Sequence, residues 1–157
     1  MTGQNHDPIS ERQILVMKRI MHVSRQIACG FSPDQIGIVG FCFGGRVTFL
    51  VSLHRTLGAA VGFYGGGIST KGALPFPALI GEAARLLTPW MGLFGDEDAS
   101  IPVEGVEELR TALAAASVPT DVIRYPGAGH GFHCDARADY HEEAAKDAWS
   151  RLSLIHI

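Results

Sequence analysis

The sequence predicts a domain of the α/β class, with a mostly parallel sheet and helices on both of its faces. Four short apolar runs alternate with stretches of helical periodicity, which is the pattern of repeated strand–helix–strand units. The 19 glycines cluster in "GFCFGG", "GFYGGG" and "PGAGHG", next to the ends of apolar runs, where sharp turns are expected. The content of 46% hydrophobic and 18% charged residues is that of an ordinary globular protein.

The first predicted element is an amphipathic helix. Apolar residues recur at helical spacing after Ser10, which can form a capping box with Gln13, and Gly30 is placed to end the helix. The apolar run 36–41 predicts a strand that is buried on both faces. The further predicted elements are a helix over 45–54, strands over 58–65 and 89–95, a helix over 103–116, a strand over 120–125 and a last helix over 135–152. Residues 65–78 form the longest predicted loop, and such loops commonly border functional sites.

Charge and hydropathy exclude several classes of partner. The formal net charge of -3 leaves no basic surface for nucleic acid or anionic lipid. No apolar run approaches the roughly 18 residues that a membrane-spanning helix needs, and the polar start "MTGQNHDPISER" is not a secretion signal. The 3 cysteines contain no CxxC pair and predict no disulfide framework. We therefore expect a cytoplasmic protein with no nucleic-acid or membrane partner and no cofactor.

The stretch "VGFCFGGRV" places Cys42 where a buried strand turns into a helix. Gly40, Cys42 and Gly44 follow the pattern G-x-C-x-G, which has the form of the nucleophile elbow G-x-S-x-G with a thiol in place of the hydroxyl. In such an elbow the nucleophile's backbone is strained, and strand and helix pass so closely that the residues two before and two after it must be small. The helix N-terminus favours a thiolate, and the backbone N–H of Phe43 points to where an oxyanion would form.

Three other interpretations of this chemistry compete with a nucleophile. A dinucleotide-binding loop G-x-G-x-x-G would need glycine where Cys42 stands, because the pyrophosphate must approach the backbone closely. Cys42 could also be a buried packing residue, since cysteine is often buried. A metal site could draw on His130, His133, Cys134 and His141, but their spacing fits no zinc template.

A cysteine nucleophile needs a base and a group that orients the base. Asp98 is the predicted acid, because it follows the apolar run 89–95 at the edge of the sheet where α/β proteins bind their ligands. Asp96 and Glu97 fit better as an acidic turn that caps the next helix. His130 is the predicted base, in the glycine-rich loop "YPGAGHGF" after the fourth apolar run. The order nucleophile, acid, histidine is that of hydrolases with this elbow.

Together these motifs resemble the dienelactone hydrolase family of the α/β-hydrolase fold. The likeness rests on "GFCFGG", "FYGGG", "GLFGDED" with "IPVE", and "YPGAGHGF" with "DARADYHEEAAKDAW", in that order between residues 34 and 151. It implies a triad of Cys42, His130 and Asp98 that hydrolyses a lactone or an enol ester such as dienelactone through an acyl-cysteine intermediate. It also implies that Arg137 attracts the carboxylate of the small-molecule substrate, with a solvated arginine at a helix start as the alternative.

The chain departs from the family pattern at both ends. Family members carry several strands and a helix before the strand that leads to the elbow, and those strands hold a second oxyanion donor, a glutamate that gates the thiol and another arginine; here one helix precedes the elbow strand. The end, "LSLIHI", matches the translation of a sequencing-transposon adapter. We therefore expect residues 1–151 to form a single truncated α/β-hydrolase domain and residues 152–157 to be a foreign tail.

The truncation leaves two alternatives for the function. One is a family fragment without turnover, and the other is a carboxylesterase of broad specificity. An uncovered sheet edge would leave the chain as a monomer or as a weakly self-associating species, because exposed strand edges pair with one another.

Overall fold

The computed structural model describes residue 27, residues 29–70, residue 72 and residues 75–154. Contacts divide the chain into two compact units, 1–32 and 33–157, and each is taken by itself. In the first unit, most of the helix predicted from Ser10 to Gly30 lies outside the described residues. At its predicted end, Gly30 has a left-handed φ of 95° and its N–H donates to the carbonyl of Ile27. The predictions of a single domain and of a foreign tail stay predictions.

The described part of the second unit contains a parallel sheet of four strands and three α-helices. The strands are β1 (Gly37–Phe41), β2 (Ala59–Phe63), β3 (Trp90–Gly95) and β4 (Thr120–Tyr125). The helices are α1 (Phe43–His54), α2 (Val103–Leu113) and α3 (Glu142–Leu154), with 3₁₀ segments at Pro33–Gln35 and Ile80–Arg85. The strands lie in the order β1-β2-β3-β4, and every neighbouring pair is parallel, which confirms the predicted class.

Helices pack on both faces of this sheet, as predicted. On one face, Trp90 of β3 donates a hydrogen bond to α1, and Arg124 of β4 forms an ion pair with Glu107 of α2 at 2.8 Å. Tyr125 points to the opposite face, because side chains alternate along a strand, and its hydroxyl donates to Asp147 of α3 at 2.9 Å.

The core lies between the sheet and these helices. Strand β2 is buried along its whole length, which explains why its sequence is continuously apolar. The largest fully buried side chains include Trp90, Phe49, Phe63, Phe94 and Phe132. No helix within the described ranges is long and apolar enough to cross a membrane.

The last helix begins later than predicted. Residues 135–141, which are mostly polar, form successive turns, and the helix starts at Glu142. His141 precedes it as a cap, since its Nδ1 accepts a hydrogen bond from the N–H of Ala144 at 3.3 Å. The prediction of a helix from residue 135 was therefore wrong, because surface turns and a helix surface share the same polar composition.

Candidate active site

The turn between β1 and α1 holds Cys42 in a strained backbone conformation. Its φ is 55° and its ψ is -120°. Such a conformation costs about 1–3 kcal/mol in a residue with a side chain, so surrounding packing must impose it. The turn leaves the thiol exposed at the carboxyl end of β1. Phe43 is the first residue of α1, so its N–H has no partner within the helix and is available to a ligand beside the thiol.

Two glycines let α1 approach the sheet this closely. A Cβ on Gly40 would overlap the backbone carbonyl of Gly44, and a Cβ on Gly45 would lie 2.6 Å from the carbonyl oxygen of Phe63 in β2. A Cβ on Gly44 would meet nothing within 4 Å. The expectation that Gly44 must be small was therefore wrong, because the helix turns the next residue, Gly45, toward the sheet.

The structure brings the side chains of Cys42, His130 and Asp98 together. His130 Nε2 lies 3.1 Å from Cys42 Sγ, and His130 Nδ1 lies 2.6 Å from Asp98 Oδ2. The Asp98 residue is only 3% exposed, and its second oxygen, Oδ1, accepts hydrogen bonds from the N–H of Ser100 at 2.9 Å and from its hydroxyl at 2.6 Å. A carboxylate fixed in this way orients the imidazole so that Nε2 faces the thiol.

Asp96 has a different partner from Asp98. Its two carboxylate oxygens each lie 2.8 Å from the guanidinium of Arg124, in a bidentate pair. Hydrogen bonds to Asp96 and then to Glu107 raise the pKa of Arg124. Asp96 therefore ties the end of β3 to β4, and the expectation that it caps the next helix was wrong.

Three residues beside these side chains were not predicted from the sequence. Ser100 follows Asp98 by two positions, a spacing at which a hydroxyl and a carboxylate commonly bond within a turn. The ring of Tyr64 lies 5.2 Å from the ring of His130, at a residue with a φ of 38°, and burial raises its pKa to about 12. Arg46, in α1, is only 7% exposed, and an arginine among the mostly apolar residues of this helix is the signal that could have found it.

A cavity of about 220 Å³ opens beside the thiol. The residues that line it include Cys42, His130, Ser100, Arg46 and Phe76. The cavity therefore exposes the sulfur and the imidazole to a small organic molecule.

The remaining candidates lie outside this cavity. Arg137 is exposed beside the histidine loop, where a Cβ on Gly131 would lie 2.9 Å from its Nη1. His133 packs between the rings of Phe63 at 5.1 Å and Trp149 at 5.5 Å, and burial lowers its pKa. Within the described ranges, no three histidine, cysteine, aspartate or glutamate side chains are grouped to hold a metal ion.

Several known proteins are similar to this chain in sequence and fold. The chain matches the model of the dienelactone hydrolase family over residues 5–155. A relative from Yersinia pestis named "Putative carboxymethylenebutenolidase" is 39% identical over 147 residues, covering 92% of this chain and 54% of the relative. A relative of the same name from Synechocystis is 36% identical over 149 residues, which cover 95% of this chain and 61% of that relative.

A solved structure gives the same result. The "Putative Dienelactone Hydrolase" from Klebsiella pneumoniae superposes with a TM-score of 0.79 at 38% identity, over 90% of this chain and 59% of that protein. The chain spans about half the length of the curated relatives it matches. Since the family match runs through almost every residue and the fold agrees with it, the chain belongs to the dienelactone hydrolase family.

Proposed function

We propose that the chain hydrolyses a lactone or an enol ester of the dienelactone kind through an acyl-cysteine intermediate. The observation that carries the proposal is the continuous line of contacts from Asp98 through His130 to Cys42, with separations of 2.6 and 3.1 Å. The name of the relatives, carboxymethylenebutenolidase, supports the same class of substrate.

Acylation starts when His130 Nε2 takes the thiol proton and Cys42 Sγ attacks the ester carbonyl. The N–H of Phe43 donates to the oxyanion, and the N-terminus of α1 stabilises its charge. Asp98 accepts a hydrogen bond from the Nδ1–H of the imidazole and stabilises the imidazolium that forms. The tetrahedral adduct then collapses and breaks the carbon–oxygen bond of the ester.

The leaving group explains why a thiol suits an enol ester. An enolate is a weaker base than an alkoxide, so the adduct can expel it rather than the thiolate. His130 returns its proton to the released oxygen, then deprotonates a water that attacks the thioester. This second step restores the Cys42 thiol and releases the carboxylic acid.

Arg137 has the charge to attract a carboxylate on the substrate. Its exposed guanidinium lies beside the histidine loop rather than in the cavity wall, so it would act on the part of the substrate nearest solvent. We expect Arg137→Ala to raise KM for a carboxylate-bearing dienelactone and to leave KM for a neutral vinyl ester unchanged.

The decisive experiment measures hydrolysis of a dienelactone and of vinyl acetate by the parent and by Cys42→Ala. We expect the substitution to lower turnover on the order of 10⁴-fold or more, since triad members act as a unit. Cys134→Ala is the matched control, because it removes a thiol outside the triad. A folded, monodisperse parent that turns over neither ester, or a Cys42→Ala variant as active as the parent, would overturn the proposal.

A second readout compares thiols within one molecule. Cys29 and Cys42 are both exposed, so accessibility alone does not distinguish them. We expect iodoacetamide at neutral pH to label Cys42 faster than Cys29, because His130 can take the thiol proton. Equal labelling rates would count against an activated nucleophile.

A further inference from the structure

The guanidinium of Arg46 joins two parts of the loop that borders the cavity. Arg46 lies one turn after Cys42, and its Nη1 donates to the carbonyl of Gly67. Its Nη2 donates to the carbonyl of Pro77 at 2.7 Å. One side chain of the elbow helix thus holds two points of the loop that are ten residues apart in sequence.

The backbone around Arg46 is adapted to this contact. Gly67 has a left-handed φ of 77°, and a Cβ at this position would lie 3.0 Å from Arg46 Nη1. Burial lowers the pKa of Arg46, so the structure meets a desolvation cost to place a cation here. Carbonyl hydrogen bonds offset that cost, because a buried charge without such partners would destabilise the fold.

These hydrogen bonds of Arg46 bring an aromatic side chain of the loop close to the elbow. Phe76 precedes Pro77, and the guanidinium of Arg46 lies 5.8 Å from its ring centroid. The Phe76 ring in turn stacks on Phe43, with centroids 5.9 Å apart and planes 29° apart. Both phenylalanines line the cavity that contains Cys42.

We propose that Arg46 is a positioning residue that holds Phe76 against Phe43, so that the two rings form a wall selecting planar apolar groups next to the reacting carbonyl. The inference rests on the proposed function, because it assumes that the ester carbonyl lies at Cys42. It adds a specificity to that function: esters whose acyl part is planar and conjugated stack on the wall, and small aliphatic esters do not use it.

The first test uses the thiol itself and needs no turnover. Cys42 is alkylated with N-phenylmaleimide and with N-methylmaleimide, which share one electrophile, and labelling at this residue is followed by peptide mass spectrometry. We expect the ratio of the phenyl to the methyl rate to fall about two- to tenfold in Arg46→Met, the range that an aromatic contact contributes.

The second test uses vinyl cinnamate and vinyl acetate, which release the same enol. We expect Arg46→Met to raise KM for the cinnamate about two- to tenfold, with kcat for both esters and KM for the acetate near the parent values. A residue that only stabilised the fold would change both esters alike, so the split between them is specific to the wall.

Three further variants separate the positioning of Phe76 by Arg46 from a general effect of losing a positive charge on α1. Phe76→Ala should reproduce both changes, and the double variant should show no further loss, because Arg46 acts through Phe76. Arg46→Lys should also lower the ratio, because one ammonium does not reproduce the planar fork that meets two carbonyls. Arg55→Met, at the exposed end of the same helix, is the control and should match the parent.

The outcomes of the two proposals can be told apart. If the parent hydrolyses the esters while Arg46→Met and Arg46→Lys keep its maleimide ratio, the inference on Arg46 is overturned and the hydrolase proposal stands. If the parent has no turnover but the ratio falls as expected, the hydrolase proposal fails and the role of Arg46 in shaping the cavity stands. Where Arg46→Met does not fold, Arg46→Lys carries the test, and a parent-like ratio in it overturns the inference.

Discussion

Asp98 holds a carboxylate in a position that is 3% exposed, where water does not solvate it. Three hydrogen bonds replace that water, two from Ser100 and one from His130. A buried carboxylate without such donors would be strongly unfavourable, so the hydrogen bonds from Ser100 stabilise this side chain and fix its orientation toward His130.

Substitution of Ser100 tests this contribution. Ser100→Ala removes the hydroxyl donor and leaves the backbone N–H, and we expect kcat for ester hydrolysis to fall roughly tenfold, since a hydrogen bond to a charged group contributes about 1.5 kcal/mol or more. Steady-state kinetics on vinyl acetate measures the change. Ser100→Thr retains a hydroxyl and should restore most of the rate, whereas parent-like activity in Ser100→Ala would contradict the role.

His133 is a second residue whose environment makes a prediction, here on stability. Burial lowers its pKa from the ordinary 6.5, and the charge of Asp135 opposes this only partly. As the pH falls below 6.5, His133 becomes protonated in the unfolded chain but stays neutral in the folded chain. The free energy of unfolding therefore decreases between pH 6.5 and the lower pKa of the folded protein, and it stops decreasing below that pKa.

The matched variant for this effect is His133→Phe, which keeps a ring among aromatic neighbours but does not titrate. We expect the parent to lose more Tm than the variant between pH 7.5 and pH 5.5, as measured by circular dichroism. Other histidines are common to both proteins and cancel in the comparison. Equal losses of Tm would show that His133 is not kept neutral by the fold.

At the scale of elements, the crossing of α1 over β2 depends on one glycine of the pair Gly44 and Gly45. We expect Gly45→Ala to destabilise the protein by about 1–3 kcal/mol, because its Cβ would lie 2.6 Å from a backbone carbonyl that cannot move aside cheaply. Gly44→Ala should be neutral or stabilising by up to about 1 kcal/mol, because its Cβ meets open space. Urea unfolding measures the free energy of unfolding of both variants. Equal changes in the two would contradict the close approach of α1 to β2 at Gly45.

The elements themselves were largely predictable from the sequence. The four strands lie within the four apolar runs, and β2 and most of β3 are buried on both faces, as continuous apolar runs predict. Strand β1 is exposed at Gly37, Val39 and Phe41, so the prediction that it is buried on both faces was wrong, because α1 packs on the opposite face, at Gly40. The start of α3 was not predictable, since the hydrogen bond from Ala144 to His141 depends on how the preceding turns fold back. The need for glycine at position 45 rather than 44 was equally hidden, because it depends on which residue of α1 faces β2.

At the scale of the whole molecule, strand β1 is an edge of the sheet as described, with a partner only on the side of β2. Val39 is 47% exposed, Phe41 40% and Trp149 56%. The ring of His133 lies 5.5 Å from those of Phe41 and Trp149, so aromatic groups are continuous from the strand to α3. An apolar strand edge of this kind favours pairing with another copy.

This edge predicts a concentration-dependent association of the protein. We expect Val39→Lys to lower the weight-average mass at high concentration in sedimentation equilibrium, because a charge on the strand opposes edge-to-edge pairing. Leu87→Lys is the control, since Leu87 is 46% exposed but lies outside the sheet. A parent that remains monomeric at every concentration, or equal effects of both substitutions, would show that the edge does not pair.

The sequence by itself determined the class of fold, the order of strands and helices, and the residue types of a cysteine, a histidine and an acid in hydrolase order. These follow from periodicity, from glycine at sharp turns and from the place of each motif after an apolar run, all of which are local properties of the chain. The sequence favoured Asp98 over Asp96 as the partner of His130, but only the tertiary structure showed what occupies Asp96, since Arg124 of the neighbouring strand pairs with it. The tertiary structure likewise placed Arg46 at the cavity, because its contacts with Gly67 and Pro77 join residues that are far apart in the chain and that only packing brings together.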